Sequence, residues 1–173
     1  MKVGIVSDTH GRDALLGAAV DLFRERGVDA IVHCGDIGAG CMEVLGTSGL
    51  KCFAVAGNVD PDLADLEATA RAFGVTFNGR LLVLPLGGGK YLAATHGDDR
   101  PLLTKLIASG EYAYVCHGHT HVAADRRQGR SRVINPGAIF NCRGPRYSGA
   151  ALLDSASDQL EFVRVHLSFW EKP

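Results

Sequence analysis

Residues 1–36 read MKVGIVSDTHGRDALLGAAVDLFRERGVDAIVHCGD, and their alternation of apolar patterns decides the fold. Val3–Val6 is a short apolar run rich in β-branched residues, and Ala30–His33 is a second buried-looking run. Between them, Asp13–Arg26 places apolar side chains at helical spacing, and Gly27 follows as a stop signal. Two strands joined by an amphipathic helix predict a βαβ unit, and therefore a parallel sheet with helices outside it.

The remainder of the chain adds strand signals and one further helix. Cys52–Val55 continues the early βαβ rhythm, and Leu102–Ser109 predicts a short helix that Gly110 ends. Later strands are predicted at Leu81–Pro85, Lys90–Thr95, Tyr112–Cys116, Arg132–Ile134, Ala150–Asp154 and Leu160–His166, the first two joined by a glycine-rich turn. This order predicts an α/β fold of two sheets packed face to face and flanked by helices. Because no repeat or linker-like stretch interrupts it, we expect one domain over residues 1–173.

The composition is that of an ordinary globular protein. Apolar residues make up 46% and charged residues 21% of the 173 residues, a balance that allows a real core. The formal net charge is −1, so no overall positive field recruits nucleic acid. A local arginine cluster is interpreted as the solvated rim of a hairpin, with a basic patch as the alternative: Arg126, Arg127, Arg130 and Arg132.

Cysteine usage and the apolar runs bear on where the protein works. Five cysteines are scattered without CxxC spacing, which is typical of a reducing compartment. The chain enters a strand pattern at once, with no signal-peptide pattern, and its longest apolar runs are strand-length. We expect a cytoplasmic protein that does not span a membrane.

Polar motifs follow directly after the predicted strands. The motif Asp-Thr-His follows the first strand, Gly-Asp the second and Gly-Asn the third, while His-Gly and Gly-His-Thr-His follow two later strands. Ligand sites in α/β sheets collect at the carboxyl ends of strands, so these loops can converge. Each motif alone is weak, because Gly-Asp or Gly-Asn is often only a turn. Together they indicate a metal site with the candidate ligands Asp8, His10, Asp36, Asn58, His96, His119 and His121.

The ordered set DxH, GD, GN, H and GHxH resembles the calcineurin-like metallophosphoesterase superfamily. The length of the chain and its early Asp-Thr-His motif resemble the small single-domain phosphodiesterases of bacteria and archaea. The resemblance implies a four-layer αββα sandwich with two metal ions. It implies that Asp8, His10 and His121 hold one ion, that Asn58, His96 and His119 hold the second, and that Asp36 and a hydroxide bridge them.

This site would hydrolyse phosphoesters, and a small phosphodiester is the expected substrate. Two cations sharing a carboxylate lie roughly 3.5–4 Å apart and lower the pKa of a bound water toward about 7, so no side-chain nucleophile is needed. Mixed nitrogen and oxygen ligands suit two divalent transition-metal ions. We place Mn²⁺ first, with Ni²⁺, Fe²⁺, Zn²⁺ and Co²⁺ as alternatives.

Two other functions stay open at this point. The same fold serves as a non-catalytic protein-interaction subunit in the retromer coat, so fold alone does not fix function. A phosphomonoesterase is the other alternative. In the phosphoprotein phosphatase branch the GN motif runs on into a histidine that assists the leaving group, whereas Asn58 is followed here by Val59. This departure favours a diester with a good leaving group.

Several further residues are candidates for substrate contact or proton transfer. Asp60 could act as general acid, although capping the turn into Pro61 is the favoured alternative. Arg12 and Arg100 could bind the substrate phosphate or could equally be surface arginines, whereas Arg146 could orient the Asn135-Pro136-Gly137 loop or reach the substrate.

The remaining polar residues near the motifs are expected to support the site. His33 and His117 are interpreted as packed neighbours of the ligands, and Thr9 and Thr120 as spacers between them. The Asn135-Pro136-Gly137 loop is expected to lie under the site. The pair Phe169-Trp170 could form a dimer face or could equally cover the core, so a homo-oligomer is a further prediction with a core role as the alternative.

Overall fold

Two β-sheets form the centre of the fold. The computed structural model describes residues 1–60, 62–140 and 149–166. In chain order its elements are β1 (Lys2–Val6), α1 (Asp13–Glu25), β2 (Ala30–His33), α2 (Cys41–Gly46), β3 (Lys51–Val55), α3 (Leu63–Ala72), β4 (Thr76–Asn78), β5 (Leu82–Gly87), β6 (Lys90–Ala94), α4 (Arg100–Ser109), β7 (Tyr114–Cys116), β8 (Ala124–Gln128), β9 (Ser131–Asn135), β10 (Ala150–Asp154) and β11 (Gln159–Val163).

Both sheets are mixed, with parallel strands at their centres. The six-stranded sheet has the order β11-β10-β1-β2-β3-β4. Strands β1 to β4 run parallel, and β10 pairs antiparallel with both of its neighbours, β1 and β11. The five-stranded sheet has the order β5-β6-β7-β9-β8, with β6, β7 and β9 parallel and the two edge strands antiparallel. In each sheet the loops after the parallel strands therefore emerge at one edge.

Three apolar clusters account for the layers. One fills the space between the sheets, where Ile5 and Val32 of the first sheet pack with Leu92 and Ile134 of the second. A second cluster lies between the six-stranded sheet and helices α1 to α3, and a third lies between the five-stranded sheet and α4. The predicted αββα sandwich is confirmed.

Helix α1 shows how sequence and packing agree. It buries Leu16, Ala19, Val20 and Phe23 at helical spacing, with Asp13 in its first turn and Arg24 in its last. Phe23 lies over Gly4 of β1, where an added Cβ would come within 2.6 Å of the ring. The predicted first strand needs glycine at this point because the helix crosses it there.

Four elements are absent from the sequence prediction. Helix α2 has six residues, and α3 buries only Leu66 and Ala70, so neither carries a strong apolar stripe. Strand β4 has three residues, and β8 is polar and almost fully exposed, which hides its strand character. Strand β11 ends at Val163 rather than at residue 166, and α4 begins two residues before its predicted start because Asp99 caps it through the Leu102 amide at 3.0 Å.

The structure also bears on the arginine cluster and on the absence of a membrane-spanning segment that the sequence predicted. The arginine cluster does form the β8–β9 hairpin, with Arg126, Arg127 and Arg130 exposed. No helix of the described residues has both the length and the apolarity that a membrane crossing requires. The assignment of residues 1–173 to one domain stays a prediction.

Candidate metal centre

The predicted ligands lie at one edge of the sandwich, each just beyond the end of a strand. Asp8 and His10 follow β1, Asp36 follows β2 and Asn58 follows β3 in the first sheet. From the second sheet, His96 follows β6, and His119 and His121 follow β7. Parallel strands direct these loops to the same place, as the sequence predicted.

The first group of ligands is already gathered tightly enough to hold an ion. Asp8, His10, Asp36 and His121 each offer a ligand atom, and these four atoms lie within 4.8 Å of one another. His121 Nε2 lies 3.1 Å from Asp8 Oδ1, and His10 Nε2 lies 3.6 Å from Asp36 Oδ2. Carboxylate oxygens and imidazole nitrogens converging in this way match the donor set of a divalent transition metal.

Asp8 gives the strongest sign that a cation belongs here. Its side chain is fully buried, and Oδ1 accepts no hydrogen bond from any residue that the structure describes, whereas Oδ2 accepts one from the His119 amide at 3.1 Å. Burial raises the pKa of Asp8 above its ordinary value, because a buried carboxylate without a compensating charge is costly. A divalent ion bound to Oδ1 would remove that cost, so the donor set fits a metal.

A second group of ligands lies on the other side of Asp36. His96 Nε2 lies 3.1 Å from Asn58 Oδ1 and 3.4 Å from Asp36 Oδ2, and the His119 ring centroid is 5.2 Å from that of His96. His96 Nδ1 lies 2.8 Å from the Cys34 carbonyl, which can only accept, so Nδ1 carries the hydrogen. In the neutral ring Nε2 is therefore the bare nitrogen, directed at Asp36 and Asn58.

Asp36 stands between the two groups. Its Oδ2 lies 3.6 Å from His10 Nε2 and 3.4 Å from His96 Nε2, while Oδ1 accepts a hydrogen bond from the Val59 amide at 3.1 Å. Burial acts to raise the pKa of Asp36, but the protonated form of His96, the hydrogen bond from the Val59 amide and the nearby His10 outweigh it and lower the pKa. Asp36 is thus held as a carboxylate that faces ligands on both sides.

At His96, as at Asp36, the effect of burial on the pKa is opposed by the effect of neighbouring groups. Burial acts to lower its pKa, but Asp36 and the Cys34 carbonyl outweigh burial and raise it. Positive charge at Nε2 is therefore favoured in this position. A metal ion can supply that charge in place of a second ring proton.

The backbone at the ligands is held in a conformation that side chains rarely adopt. Positive φ angles of 47° to 66° occur at Asp8, His10, Asp36, His119 and His121. Among the described non-glycine residues only Asp158 shares this feature. Backbone strain of this kind costs of order 1–3 kcal/mol per residue and clusters at functional sites. Five of the six described non-glycine residues with this backbone conformation are predicted ligands.

Two glycines beside the ligands have no room for a side chain. A Cβ at Gly57 would overlap Asp36, and a Cβ at Gly118 would overlap Ser7 and the carboxylate of Asp8. The glycines of the Gly-Asn and Gly-His-Thr-His motifs are therefore required by close approach of the backbone to both carboxylates.

His33 and Thr9 brace the first two loops. The fully buried His33 accepts a hydrogen bond at Nδ1 from the Gly35 amide at 3.2 Å, so Nε2 donates to Thr9 Oγ1 at 2.9 Å. Thr9 Oγ1 in turn donates to the Ile37 carbonyl at 2.7 Å. Burial lowers the pKa of His33 to about 3, which keeps the ring neutral. The interpretation of Thr9 as a mere spacer is wrong, because its hydroxyl joins the two loops.

Asn135 braces the Gly-His-Thr-His loop from below. Its buried amide donates to the Gly118 carbonyl at 2.8 Å and to Thr120 Oγ1 at 3.0 Å, while Oδ1 accepts from the Gly137 amide at 2.8 Å. The expected supporting role of this loop thus takes a specific form. Thr120 is also more than the predicted spacer, because it accepts this bond between two ligand histidines.

Asp60 has its carboxylate engaged by the backbone. Oδ1 accepts from the Ile37 and Gly38 amides at 2.7 and 3.0 Å, and Oδ2 accepts from the Gly57 amide at 2.8 Å. These bonds join the Gly-Asp and Gly-Asn loops. They favour a structural role over the general acid suggested from the sequence, since a carboxylate that accepts three N–H groups is poorly arranged to donate a proton.

The sequence prediction missed one aromatic residue at the site, Phe140. The Phe140 ring lies 5.4 Å from the His10 ring and 5.6 Å from the His121 ring, and the Arg12 guanidinium carbon lies 3.8 Å from its centroid. Phe140 thereby places Arg12 on the side of the first ligand group. Nothing in the motif spacing points to a phenylalanine so far along the chain.

Arg100 and Arg146 are the other candidate arginines. Arg100 is exposed at the start of α4. Arg146 lies outside the described residues, as does the Phe169-Trp170 pair on which the oligomer prediction rests. Their contacts with substrate or with a second chain stay predictions.

Comparison with known proteins places this geometry in a family. The sequence model of the calcineurin-like phosphoesterase superfamily domain matches residues 1–158. The chain belongs to this superfamily. The expected superfamily and the expected enzyme class, a phosphoesterase hydrolase, are therefore confirmed. As a member of a metallophosphoesterase family the chain is expected to work with divalent metal ions, and the ligand cluster at Asp8 offers a place for one.

Two curated proteins resemble the chain over most of its length. A phosphodiesterase from Methanocaldococcus jannaschii is 28% identical over 139 residues, which cover 79% of this chain and 83% of the relative. The probable metallophosphoesterase YsnB from Bacillus subtilis is 31% identical over 166 residues, covering 91% of this chain and 86% of the relative.

Solved structures share the fold. An archaeal phosphodiesterase superposes with a TM-score of 0.83 at 24% identity and covers 94% of this chain and 99% of its own. Vps29 from Entamoeba histolytica, solved in complex with Zn²⁺, superposes with a TM-score of 0.65 at 19% identity and covers 92% of this chain and 89% of its own.

Proposed function

We propose that this protein is a two-metal phosphodiesterase. The observation that carries the proposal is the position of Asp36, whose Oδ2 faces His10 Nε2 at 3.6 Å and His96 Nε2 at 3.4 Å. A carboxylate with imidazoles on both sides is the arrangement that a bridging ligand requires. Asp8, His10, His121 and Asp36 would hold one ion, and Asn58, His96, His119 and Asp36 would hold the other.

Each ligand has a separate task in this proposal. Asp8 and Asp36 supply negative charge, while the neutral imidazoles bind without adding charge. The Cys34 carbonyl fixes the tautomer of His96, and the backbone bonds to Asp60 hold the loops of Asp36 and Asn58 together. When bound, two divalent ions supply a nucleophilic hydroxide at neutral pH and neutralise charge that develops on the phosphoryl group.

A diester is favoured over a monoester because the described residues of the site offer no clear proton donor for a poor leaving group. Val59, which follows the ligand Asn58, is 58% exposed and has no titratable group. Asp60 is engaged by three backbone amides. The kinship with the Methanocaldococcus jannaschii phosphodiesterase supports the same substrate class. Small diesters with a good leaving group are therefore the proposed substrates.

The nature of the metal and the place of action complete the proposal. Four imidazoles, two carboxylates and one amide oxygen form a mixed set for which Mn²⁺ is the first choice and Ni²⁺, Fe²⁺, Zn²⁺ or Co²⁺ would also serve. Four described cysteines are buried and unpaired, namely Cys34, Cys41, Cys52 and Cys116. Unpaired thiols support a reducing, cytoplasmic setting.

Metal-free protein tests the proposal directly. Mn²⁺, Ni²⁺, Zn²⁺, Co²⁺ and Mg²⁺ are added back one at a time. Hydrolysis of bis(p-nitrophenyl) phosphate and of p-nitrophenyl phosphate is followed by the absorbance of the p-nitrophenolate that each releases. We expect metal-restored cleavage with the diester preferred. Two bound ions without turnover of either ester would favour a non-catalytic scaffold, and a preference for the monoester would favour a phosphomonoesterase.

A further inference from the structure

A cleft opens beside the second ligand group. Its volume is about 360 Å³, and its lining includes the buried His96 and the exposed Asn58. From there it extends between the start of α3 and the start of α4, where Leu63 and Leu102 lie on its walls. A larger cleft of about 460 Å³ lies near Lys2 and Arg132, away from every predicted ligand. Of these two clefts, only the first has predicted ligands among its described lining residues.

The walls of the cleft are partly apolar and leave room at its base. Leu63 is 49% exposed, and Leu102 is half-buried. At Gly79 an added Cβ would meet only Leu63 Cδ1, at 3.6 Å, and the φ angle there is not positive. Glycine at this position therefore keeps the cleft open and is not demanded by the backbone.

The charged residues of the cleft lie mainly at its rim and are mostly acidic. Asp98 is exposed, and Asp99 is half-buried with Oδ2 3.3 Å from the guanidinium of Arg80. Counting Asp60, the described lining carries three carboxylates and one guanidinium. A bound diester and the carboxylates of the metal site offset the charge of the ions, so the rim disfavours a second anionic group.

We propose that this cleft holds the retained ester arm of the substrate, an uncharged and partly apolar organic group of about nucleoside size. The proposal rests on the phosphodiesterase function. In an in-line displacement the departing oxygen lies opposite the attacking water, whereas the retained arm lies to the side. The cleft lies to one side of the predicted site, because its lining includes Asn58 and His96 of the second ligand group and no residue of the first.

The reaction that follows is an ordinary hydrolysis. The water oxygen forms a new bond to phosphorus, the bond from phosphorus to the departing oxygen breaks, and that oxygen leaves with the electron pair. One proton of water ends on the departing alcohol or phenol. The product left in the cleft is the phosphomonoester of the retained arm, and no further reactant is needed.

Two chromogenic diesters with the same leaving group separate the retained arm from the rest of the chemistry. Thymidine 5′-(p-nitrophenyl phosphate) carries a nucleoside, and methyl p-nitrophenyl phosphate carries a methyl group. With Mn²⁺ present, we expect Leu63→Ala to raise KM for the thymidine ester about fivefold and Gly79→Leu to raise it at least tenfold. Both variants should leave kcat/KM for the methyl ester within about twofold of the wild type.

Val83→Ala is the matched control, because Val83 is 43% exposed on β5 and does not line the cleft. It should change neither KM. Equal losses for both esters in Leu63→Ala would assign the cleft to the leaving group and overturn the proposal. Unchanged values for both esters in Leu63→Ala and Gly79→Leu would overturn it as well.

A binding measurement separates failure of this proposal from failure of the proposed function. Metal-free wild-type protein is titrated with thymidine while backbone amide signals are followed by NMR. We expect saturable shifts at Leu63 and Leu102 that Gly79→Leu removes, whether or not any diester is hydrolysed. Hydrolysis of both esters without these shifts would leave the phosphodiesterase standing and refute the cleft assignment. Shifts without hydrolysis would refute the function and retain the cleft.

Discussion

Replacing Asn135 by alanine tests the support beneath the metal centre. The buried amide makes three hydrogen bonds, to the Gly118 carbonyl, Thr120 Oγ1 and the Gly137 amide, at 2.8 to 3.0 Å. A net worth of about 1 kcal/mol for each gives a loss of about 3 kcal/mol in the free energy of unfolding. With a slope of about 2 kcal/mol per molar urea, the unfolding midpoint of metal-free protein falls by about 1.5 M.

The same substitution should also weaken metal binding, because Asn135 positions the loop that carries His119 and His121. Removing a group that orients ligands typically costs 10- to 100-fold in metal affinity. Urea unfolding of metal-free protein and calorimetric titration with Mn²⁺ measure the two effects. Asn78→Ala is the control, since Asn78 is exposed on β4, and should change stability by less than about 0.5 kcal/mol. An Asn135→Ala protein with wild-type stability and affinity would refute the reasoning.

Four other substitutions test the ligands and their surroundings. Asp36→Asn should lower kcat/KM at least a thousandfold, because it removes the shared negative charge, and steady-state hydrolysis of the diester measures this. His10→Ala should weaken one ion only, so raising Mn²⁺ from micromolar to millimolar should restore part of the activity. Gly57→Ala should displace Asp36 and lower Mn²⁺ affinity at least tenfold by calorimetry. Asp8→Asn should raise the stability of metal-free protein at pH 7, because it removes a buried charge, yet abolish tight binding of one ion.

The sign of the Asp8 effect follows from burial. The folded protein holds the Asp8 proton more tightly than the unfolded chain, because burial raises the pKa of the carboxyl. Asp8 therefore makes metal-free protein less stable as the pH rises from the unfolded pKa of 3.8 through the raised folded value, and Asn removes this dependence. If the free energy of unfolding had the same pH dependence in the wild type and in Asp8→Asn from pH 4 to 7, this predicted effect of Asp8 would be contradicted.

Controls and contrary outcomes for the other variants are equally direct. Gly17→Ala controls for Gly57→Ala, because no atom lies within 4 Å of a Cβ at Gly17 on α1, and it should leave Mn²⁺ affinity unchanged. Near-wild-type turnover by Asp36→Asn would sink the two-metal proposal. Loss of both ions in His10→Ala would show that the two ligand groups do not bind separately.

The sequence predicted the parts of this protein whose signals are local. The strand at Ala30–His33 is predicted with its exact bounds because all four of its residues are buried and three of them are apolar, and α1 is predicted to within one residue because its stripe faces the sheet. The ligand motifs could be read because each stands immediately after such a strand. Helix α3 could not be predicted, because most of its side chains are exposed and its apolar stripe is short.

Contacts between distant parts of the chain carried no local signal. Phe140 meets His10 and Arg12 only after more than a hundred residues of chain have folded between them. The three amides that donate to Asp60 come from two separate loops, so these hydrogen bonds could not be predicted from the sequence. The cleft beside Asn58 likewise depends on how α3 and α4 approach each other. Residue types were predictable, and their long-range partners were not.

Electron paramagnetic resonance of the protein loaded with Mn²⁺ tests the central claim most directly. If Asp36 bridges two ions, titration of metal-free protein should saturate at two Mn²⁺ per chain, and the spectrum should show two coupled ions as diester hydrolysis appears. Asp36→Asn should lose the coupling. Full diester hydrolysis by protein that binds one Mn²⁺ per chain, with the spectrum of an isolated ion, would contradict the two-metal account.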